Sequence, residues 1–350
     1  MREYKIAAIP GDGIGTEVIS AGLQALKVLA ERDRGFKLSI EHFPWSSDYY
    51  KKHGYYIPAG GLDKLKTFDA IFFGAVGAPD VADHLSLWGL RLPICQGFDQ
   101  YANVRPARVL PGVTSPLTGG ERIDWVIIRE NSEGEYSGSG GRVHTGLPEE
   151  VATETSVFTR NGVERIHRFA FELAAKRPRQ HLTLVTKSNA QRHGMLMWDQ
   201  IFYEVAKNYP QVETQRVLVD AITTQMVLKP YMLDTFVATN LHADILSDLA
   251  AALSGSLGIA PTANLNPERT FPSMFEPIHG SAFDITGKGI ANPIATFWTA
   301  SMMLEHLGET EAALRMMKAI ETVTAKKIHT PDLGGEATTE IVTNAVCDAL

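Results

Sequence analysis

A chain of 350 residues exceeds what one hydrophobic core usually fills, so we expect two domains. Its 44% hydrophobic and 21% charged residues are typical of a globular protein, and a formal net charge of −7 argues against a nucleic-acid partner, whose phosphates require clustered Lys and Arg. No stretch resembles a signal peptide or approaches the length of a membrane span, so we expect no membrane partner and a cytoplasmic protein.

Short apolar segments alternate with amphipathic ones along the chain. Strands are predicted at Tyr4–Ile9, Ala70–Phe73, Trp125–Ile128, Leu182–Thr186, Arg216–Val219 and Phe236–Thr239. Helices are predicted at roughly Thr16–Ala30, Gly162–Ala175, Gly194–Lys207, Ile245–Ala252, Pro293–Leu307 and Ala312–Ala325. This alternation predicts an α/β fold with a mostly parallel sheet core. The Gly-rich run Gly138–Arg142 interrupts it and predicts an antiparallel excursion or a projecting arm.

The first predicted strand leads into a Gly-rich turn, Pro10–Gly15, which resembles the start of a dinucleotide-binding motif. Glu41, near the end of a candidate second strand, strengthens that likeness. The motif nevertheless requires glycine at its sixth position, where this chain has Thr16. We therefore interpret the turn as a tight strand-to-helix connection and predict that the fold is not a Rossmann fold.

Two carboxylates, Asp244 and Asp248, lie four residues apart in a predicted helical region that follows the strand Phe236–Thr239. This spacing places them on one helix face with Cβ atoms about 6 Å apart, where like charges destabilise the helix unless a cation or basic partner lies between them. In α/β proteins, ligands also collect at the carboxyl ends of strands. Alone, the pair reads as a solvated acidic face; with the motifs below, it predicts a divalent metal site.

A second Gly-rich run spans Glu276–Pro293, and its glycines allow the backbone to approach a ligand closely. His279 and Asn292 offer side-chain hydrogen bonds. Asp284 is suited to a ribose diol, and its charge would repel a 2′-phosphate, which favours NAD over NADP. In isolation the run would be an irregular loop before a helix.

Five sequence blocks occur in the order found in the β-decarboxylating dehydrogenases, the family of isocitrate and isopropylmalate dehydrogenases. The blocks are Gly11–Gly15, Asn103–Pro106, Arg129–Tyr136, Asn240–Asp248 and His279–Pro293. The resemblance extends from residue 5 to beyond residue 330. Three further stretches resemble most closely the members that oxidise tartrate and D-malate, namely Ser86–Gly89, Phe98–Tyr101 and Lys187–Gly194.

This resemblance implies an isopropylmalate dehydrogenase-like fold with two domains. A cofactor-binding domain would comprise residues 1–101 and 255–350, and a metal, substrate and dimerisation domain residues 102–254, with an arm near residues 137–158. It implies an NAD-dependent enzyme that oxidises a small dicarboxylate, tartrate or D-malate, and decarboxylates D-malate to pyruvate. Mn²⁺ or Mg²⁺ is the implied metal, with K⁺ as a further cation whose ligands the sequence does not identify. Members are homodimers with shared active sites.

The same resemblance assigns roles to individual residues. It implies metal ligands at Asp220, Asp244 and Asp248, and an acid–base pair in Tyr136 and Lys187. It implies substrate-binding guanidinium groups in Arg105 and Arg129, with Arg91 as a third candidate. The implied cofactor-binding residues are His279, Gly280, Ser281, Ala282, Asp284 and Asn292. Lys187 and Asp220 would act across the subunit interface.

One position departs from the family pattern. Many relatives have an Arg ten residues before the one that matches Arg105, whereas this chain has Cys95. Either Arg91, one helical turn earlier, replaces that Arg, or one carboxylate contact is lost. One alternative function is 3-isopropylmalate dehydrogenase, which needs an apolar pocket that Leu85, Leu87 and Trp88 could line. The other is a non-catalytic regulatory subunit, against which the complete set of acid–base and metal residues argues.

Overall fold

The structure, a computed structural model, describes all 350 residues and divides them into two units. Unit 1 comprises Met1–Gln100, Arg108–Glu121 and Ala251–Leu350, and unit 2 comprises Tyr101–Ala107 and Arg122–Ala250. Residues 108–121 thus lie in unit 1, whereas we expected them in the middle domain. The Ser115 hydroxyl donates to the Leu253 carbonyl at 2.6 Å, which ties this segment to its unit.

Unit 1 is built on five strands covered by helices. Its strands are β1 (Arg2–Gly11), β2 (Phe36–His42), β3 (Ala70–Ala75), β11 (Pro261–Leu265) and β12 (Ser273–Pro277). Its helices are α1 (Gly15–Asp33), α2 (Ser47–His53), α3 (Gly61–Leu65), α4 (Asp83–Ser86), α5 (Leu92–Gly97), α10 (Ile294–Leu307), α11 (Thr310–Ala325) and α12 (Thr339–Ala349), with a π-helical turn over Leu87–Arg91. The strand order is β2-β1-β3-β12-β11, parallel except for the β11–β12 pair, which differs from the order of a Rossmann sheet.

Successive strand residues point to opposite sides of this sheet, and the side chains on both sides are buried. Phe72 and Phe275 pack on one side against α1, α10, α11 and α12. Phe73 and Met274 pack on the other side, in a cluster that contains Cys95. Cys95 is fully buried among apolar side chains. An Arg at this position would need a partner for its charge, because burying an unpaired charge is costly.

Unit 2 has a second set of parallel strands. Its strands are β4 (Ala102–Arg108, whose last residue belongs to unit 1), β5 (Asp124–Glu130), β8 (His181–Thr186), β9 (Glu213–Leu218) and β10 (Thr235–Ala238), in the order β4-β5-β10-β8-β9. The β5–β10, β10–β8 and β8–β9 pairs are parallel. Its helices are α6 (Arg160–Lys176), α7 (Gly194–Ala206), α8 (Val219–Leu228) and α9 (Asn240–Ser254, whose last turn belongs to unit 1). No helix of the chain is long and apolar enough to cross a bilayer.

Two differences between the predicted and the observed element boundaries concern candidate site residues. Val219 was predicted to end a strand but begins α8, so Asp220 lies in the first turn of a helix, where the helix dipole favours an acidic side chain. The predicted helix Ile245–Ala252 begins earlier, at Asn240. Asp244 therefore lies within the helix and not before it.

The region for which we expected an arm forms a two-stranded antiparallel sheet of β6 (Gly134–Val143) and β7 (Val151–Val157). Residues 138–143 and the whole of β7 are exposed. The exposed apolar side chains include Val143 and Leu147, at 57% and 56% relative exposure. Such a ribbon has no core of its own and is marginal in isolation.

Candidate active site

Helix α9 carries Asp244 and Asp248 and follows directly after β10, as the sequence predicted for the pair. Its start is held by Glu135 of β6, whose carboxylate accepts hydrogen bonds from the Thr239 hydroxyl at 3.0 Å and from the Leu241 amide at 3.2 Å. The first amides of a helix have no intrahelical partner, so this contact acts as a cap. Glu135 thereby fixes the position of the helix that bears both carboxylates.

Three predicted site residues converge on Asp244. Arg105 donates from Nη1 to its Oδ1 at 3.3 Å, Arg129 forms a closer ion pair with the same oxygen, and the Tyr136 hydroxyl lies 3.1 Å from Oδ2. The Arg129 guanidinium also lies 5.2 Å from the centre of the Tyr136 ring, a cation–π distance. The carboxylate is therefore held as an anion between two cations and a hydroxyl.

Both arginines are buried and fixed by neighbouring polar groups. Arg105 donates to the Asn103 amide oxygen at 2.8 Å and to the Ser247 hydroxyl at 2.6 Å. Arg129 donates through Nε and Nη2 to the Asn240 amide oxygen, at 2.9 and 2.6 Å. A buried guanidinium held in a fixed orientation is suited to bidentate binding of a carboxylate.

Asp248 has a different environment from Asp244. Solvent reaches its side chain, yet partial desolvation raises the pKa of this carboxyl, the nearby Arg105 opposes the rise, and repulsion from Asp244 adds to it. A divalent cation between the two carboxylates would relieve that repulsion. Hard oxygen donors fit Mg²⁺ or Mn²⁺, so the side chains present are compatible with either ion.

Asp220 does not lie beside Asp244 and Asp248 within one chain. The chain contains no cluster of three or more His, Cys, Asp or Glu side chains that could hold a metal ion. Asp220 instead pairs with Lys187, whose Nζ lies 2.5 Å from Oδ1, and this hydrogen bond lowers the pKa of Asp220. The two residues that we expected to act across a subunit interface are thus neighbours at a second location in unit 2.

The segment after β8 that carries Lys187 is anchored by its neighbour Ser188. The Ser188 hydroxyl donates to Asp199 Oδ2 of α7 at 2.6 Å, and Arg216 of β9 donates to both, at 2.7 Å each. Ser188 and Asp199 are buried. This network joins three elements and sets where Lys187 leaves the sheet.

Arg91, the third arginine candidate, belongs to unit 1 and has a counter-ion there. Its Nε donates to Glu276 Oε1 at 2.8 Å, and its Nη2 to Asn264 Oδ1 at 3.2 Å. The Asn264 amide also donates to Glu276 Oε1 at 2.7 Å. Asn264 and Glu276 are buried, and together they give Arg91 structural partners in its own unit, whereas Arg105 and Arg129 of unit 2 are directed to Asp244.

A cavity of 710 Å³ in unit 1 is lined by part of the second Gly-rich run. Of the six predicted cofactor residues, three line it: His279, Ala282 and Asn292. Burial lowers the pKa of His279, whose Nδ1 lies 3.0 Å from the Gly280 carbonyl oxygen. The other three, Gly280, Ser281 and Asp284, are not among the lining residues, and Asp284 is exposed.

Sequence reasoning did not single out several residues that hold these sites together. Glu135, Asn240 and Ser247 position α9 and the two arginines, and Asp332 lines the unit 1 cavity and accepts from the Asn292 amide at 3.0 Å. Glu135, Asn240 and Ser247 lie within the sequence blocks that resemble the family, and this resemblance was the only sequence signal for them. Asp332 lies in no such block.

The chain belongs to the isocitrate/isopropylmalate dehydrogenase family, whose profile matches residues 5–350. It is therefore an enzyme of a family whose dehydrogenases are NAD-dependent and use a divalent metal ion. The crystal structure of isocitrate dehydrogenase from Methylococcus capsulatus shares the fold, with a TM-score of 0.89 and 35% identity over 99% of each chain. The predicted family, fold class and enzyme assignment are thus confirmed.

Among the relatives, a probable tartrate dehydrogenase/decarboxylase of Agrobacterium vitis is 71% identical over 100% of this chain and 98% of its own length. The decarboxylating D-malate dehydrogenase of Escherichia coli is 51% identical over 99% of this chain and 98% of its own. A tartrate dehydrogenase/decarboxylase of Pseudomonas putida is 47% identical over 99% and 98%, respectively.

Proposed function

We propose that this chain oxidises tartrate and D-malate with NAD and Mn²⁺ or Mg²⁺, and decarboxylates D-malate to pyruvate. The observation that carries the proposal is the convergence of Arg105, Arg129 and Tyr136 on Asp244, with Asp248 one helical turn away. The guanidinium groups of Arg105 and Arg129 are suited to a dicarboxylate substrate. The carboxylates of Asp244 and Asp248 are suited to a divalent metal ion. K⁺ is proposed as a further cation, and only the family resemblance supports it.

The Asp244 carboxylate occupies the place of an anion between the two arginines. A substrate carboxylate offers the same oxygens to Arg105 and Arg129, which would free Asp244 to join Asp248 in holding the cation. When bound, that cation stabilises negative charge on the C2 oxygen of the substrate. Arg91 is the weakest of the three arginine candidates because Glu276 already neutralises it.

Lys187 and Tyr136 are proposed as the acid–base pair. Lys187 would take the proton of the C2 hydroxyl, and NAD bound at the site would supply the acceptor for the C2 hydride. The resulting 2-keto acid then loses its 3-carboxylate as CO₂, and Tyr136 returns a proton to C3. The contact between Tyr136 and Asp244 places this hydroxyl beside the proposed metal residues.

The proposed active form is a homodimer with shared sites. Asp220 and Lys187 lie together but apart from Asp244 and Asp248, so a second subunit is needed to complete a three-carboxylate site. The β6–β7 arm exposes apolar side chains that a partner could cover, among them Val143 and Leu147. Two free, buried cysteines are consistent with a reducing cytoplasm.

NAD is proposed to bind at the unit 1 cavity and the Gly-rich run beside it, through His279, Gly280, Ser281, Ala282, Asp284 and Asn292. The lining residue Asp332 adds negative charge to the cavity. An NADP 2′-phosphate would be repelled there, which supports NAD as the cofactor.

The test is Asp244→Asn, with Asp63→Asn of α3 as the control. We expect Asp244→Asn to lower metal-dependent NADH production by roughly 100-fold because it removes one charge from the cation site. Circular dichroism and size-exclusion chromatography should show an unchanged fold and assembly. Turnover equal to that of the control would overturn the proposal and restore the reading of a solvated acidic face.

A substrate panel decides between the proposed function and its alternatives. D-malate, tartrate and 3-isopropylmalate are compared for NADH formation, with pyruvate and CO₂ measured as products. Preference for 3-isopropylmalate would refute the substrate assignment. Leu85 and Trp88, candidates for the apolar pocket that this substrate needs, are 40% and 42% exposed. Absence of any metal-dependent NADH formation would instead support a regulatory subunit.

A further inference from the structure

Asp12 is a buried carboxylate at the centre of the N-terminal Gly-rich turn, with 5% relative exposure. Its Oδ1 accepts from the Ser47 amide at 2.7 Å, and its Oδ2 accepts from the Ser47 hydroxyl at 2.6 Å and the Gly77 amide at 2.9 Å. No cation pairs with it. The Asp12 carboxylate is bound by three converging N–H and O–H donors. It thereby joins the segments that follow β1, β2 and β3.

The same loops hold the second Gly-rich run in place. The Ser281 hydroxyl donates to the Gly77 carbonyl at 2.6 Å, and the Ile14 amide donates to the Ser281 carbonyl at 2.8 Å. Farther along the run, the Gly287 amide donates to Glu17 Oε1 at 2.5 Å. Ser281 is therefore bonded both to Ile14, two residues after Asp12, and to Gly77, whose amide Asp12 accepts.

Gly13 shows how closely this turn approaches Ser281. Its φ of +56° is one that side chains rarely adopt, and a Cβ there would lie 1.9 Å from the Ser281 carbonyl oxygen. The glycine is thus required by loop-to-loop contact. The glycine at position 13 is thus accounted for without a bound phosphate.

We propose that Asp12 is a positioning residue for NAD: through Gly77 and the adjoining turn it fixes Ser281, and with it the cofactor loop, before the cofactor binds. The inference rests on the proposed role of residues 276–293 in binding NAD. A carboxylate is needed because its two acceptor oxygens meet three donors. An Asn would turn an amide N–H toward either Gly77 or Ser47.

The experiment compares Asp12→Asn with Asp69→Asn. Asp69 accepts from the Lys5 amide at 2.7 Å at the opposite end of the same strands. Its variant therefore also replaces a carboxylate that accepts from a backbone amide, but away from the cofactor loop. NADH is titrated into each protein by fluorescence, and steady-state constants are measured. We expect Asp12→Asn to weaken NADH binding and raise KM for NAD about 10-fold. The kcat and the KM for D-malate should change less than twofold.

A second pair of variants covers the case in which Asp12→Asn does not fold. Gly13→Ala meets the Ser281 carbonyl, whereas Gly54→Ala needs a similar backbone, with φ of +81°, and meets nothing within 4 Å. Gly13→Ala should weaken NADH binding by more than Asp12→Asn does. Gly54→Ala should keep the wild-type affinity while sharing the cost of the left-handed backbone. Hydrogen exchange in the cofactor-free protein should show faster exchange over residues 278–293 for Asp12→Asn and Gly13→Ala only.

The outcomes separate the two hypotheses. If the wild-type protein binds no NADH, the proposed function fails. If the wild type binds NADH and the Asp12 and Gly13 variants bind it as tightly as their controls do, the positioning role fails while the function stands. Equal loss of affinity in Asp69→Asn and Asp12→Asn would show a general structural effect and also overturn the proposal.

Discussion

His167 is predicted to make the stability of unit 2 depend on pH. It lies on the buried face of α6, fully buried, with ring contacts to Trp198 and Phe202 of α7 at 4.4 and 5.3 Å between centroids. Neither ring nitrogen has a hydrogen-bond partner. Burial lowers the pKa of His167 from 6.5 to about 3, because a charged ring has no solvation in this core.

The direction of the pH effect follows from this lowered pKa. The unfolded chain takes up a proton as the pH falls below 6.5, while the folded chain does not do so until the pH approaches 3. The free energy of unfolding is therefore highest above pH 6.5 and falls as acid is added. Between pH 7.5 and pH 5 the loss from this group amounts to about 2 kcal/mol, at 1.36 kcal/mol per pKa unit.

Replacing His167 with Leu removes both the titration and the two unpaired nitrogens at similar volume. Urea unfolding at pH 7.5 and pH 5, at one protein concentration, should show His167→Leu losing about 2 kcal/mol less than the wild type. His167→Gln keeps a buried polar group without a titration, so it should be less stable than the Leu variant yet share its weaker pH dependence. If all three proteins lost the same free energy between these pH values, the reasoning would be refuted.

Two positioning networks yield further predictions. Asp199→Asn weakens the acceptor for Ser188 and should lower kcat about 10-fold, because Lys187 loses its anchored position; an unchanged kcat with normal NADH affinity would contradict this. Glu135→Ala removes the cap of α9 and should cost about 1 kcal/mol in stability and weaken Mn²⁺ binding, measured by electron paramagnetic resonance. Glu135→Gln should retain most of both, since the Thr239 hydroxyl can accept from the new amide; Mn²⁺ affinity unchanged in the Ala variant would count against the cap.

Six of the twelve strands and most of the long helices could be predicted because their apolar period is local information, whereas β2, β4, β11 and β12 were not among the predicted strands. The helix α6 illustrates this: Ile166, Ala170 and Ala174 recur every four residues and form its buried face. The acidic pair on α9 could likewise be recognised because a spacing of four residues maps directly onto one helix face. Where a pattern is contained in one helix or strand, the sequence is sufficient to predict that element and its buried face.

Contacts between distant segments could not be predicted in this way. The network of Asp12 joins Ser47, Gly77 and Ser281, which are separated by up to 269 residues in sequence and have no common motif. The partners of Arg91 were hidden for the same reason: Glu276 lies 185 residues away, so the side chain looked available for substrate. Long-range pairing is decided by the fold, which a single sequence does not display.

The ion pairs of Asp244 with Arg105 and Arg129 have a consequence for binding energetics. A cation that recruits Asp244 must break these pairs, and so must a dicarboxylate that recruits the arginines. Whichever ligand binds first bears that cost, and the second finds its groups already released. The two affinities are therefore coupled, and linkage requires that each ligand strengthen the other by the same factor. In the proposed site we therefore expect each ligand to bind weakly without the other, so that metal and substrate assemble as one unit.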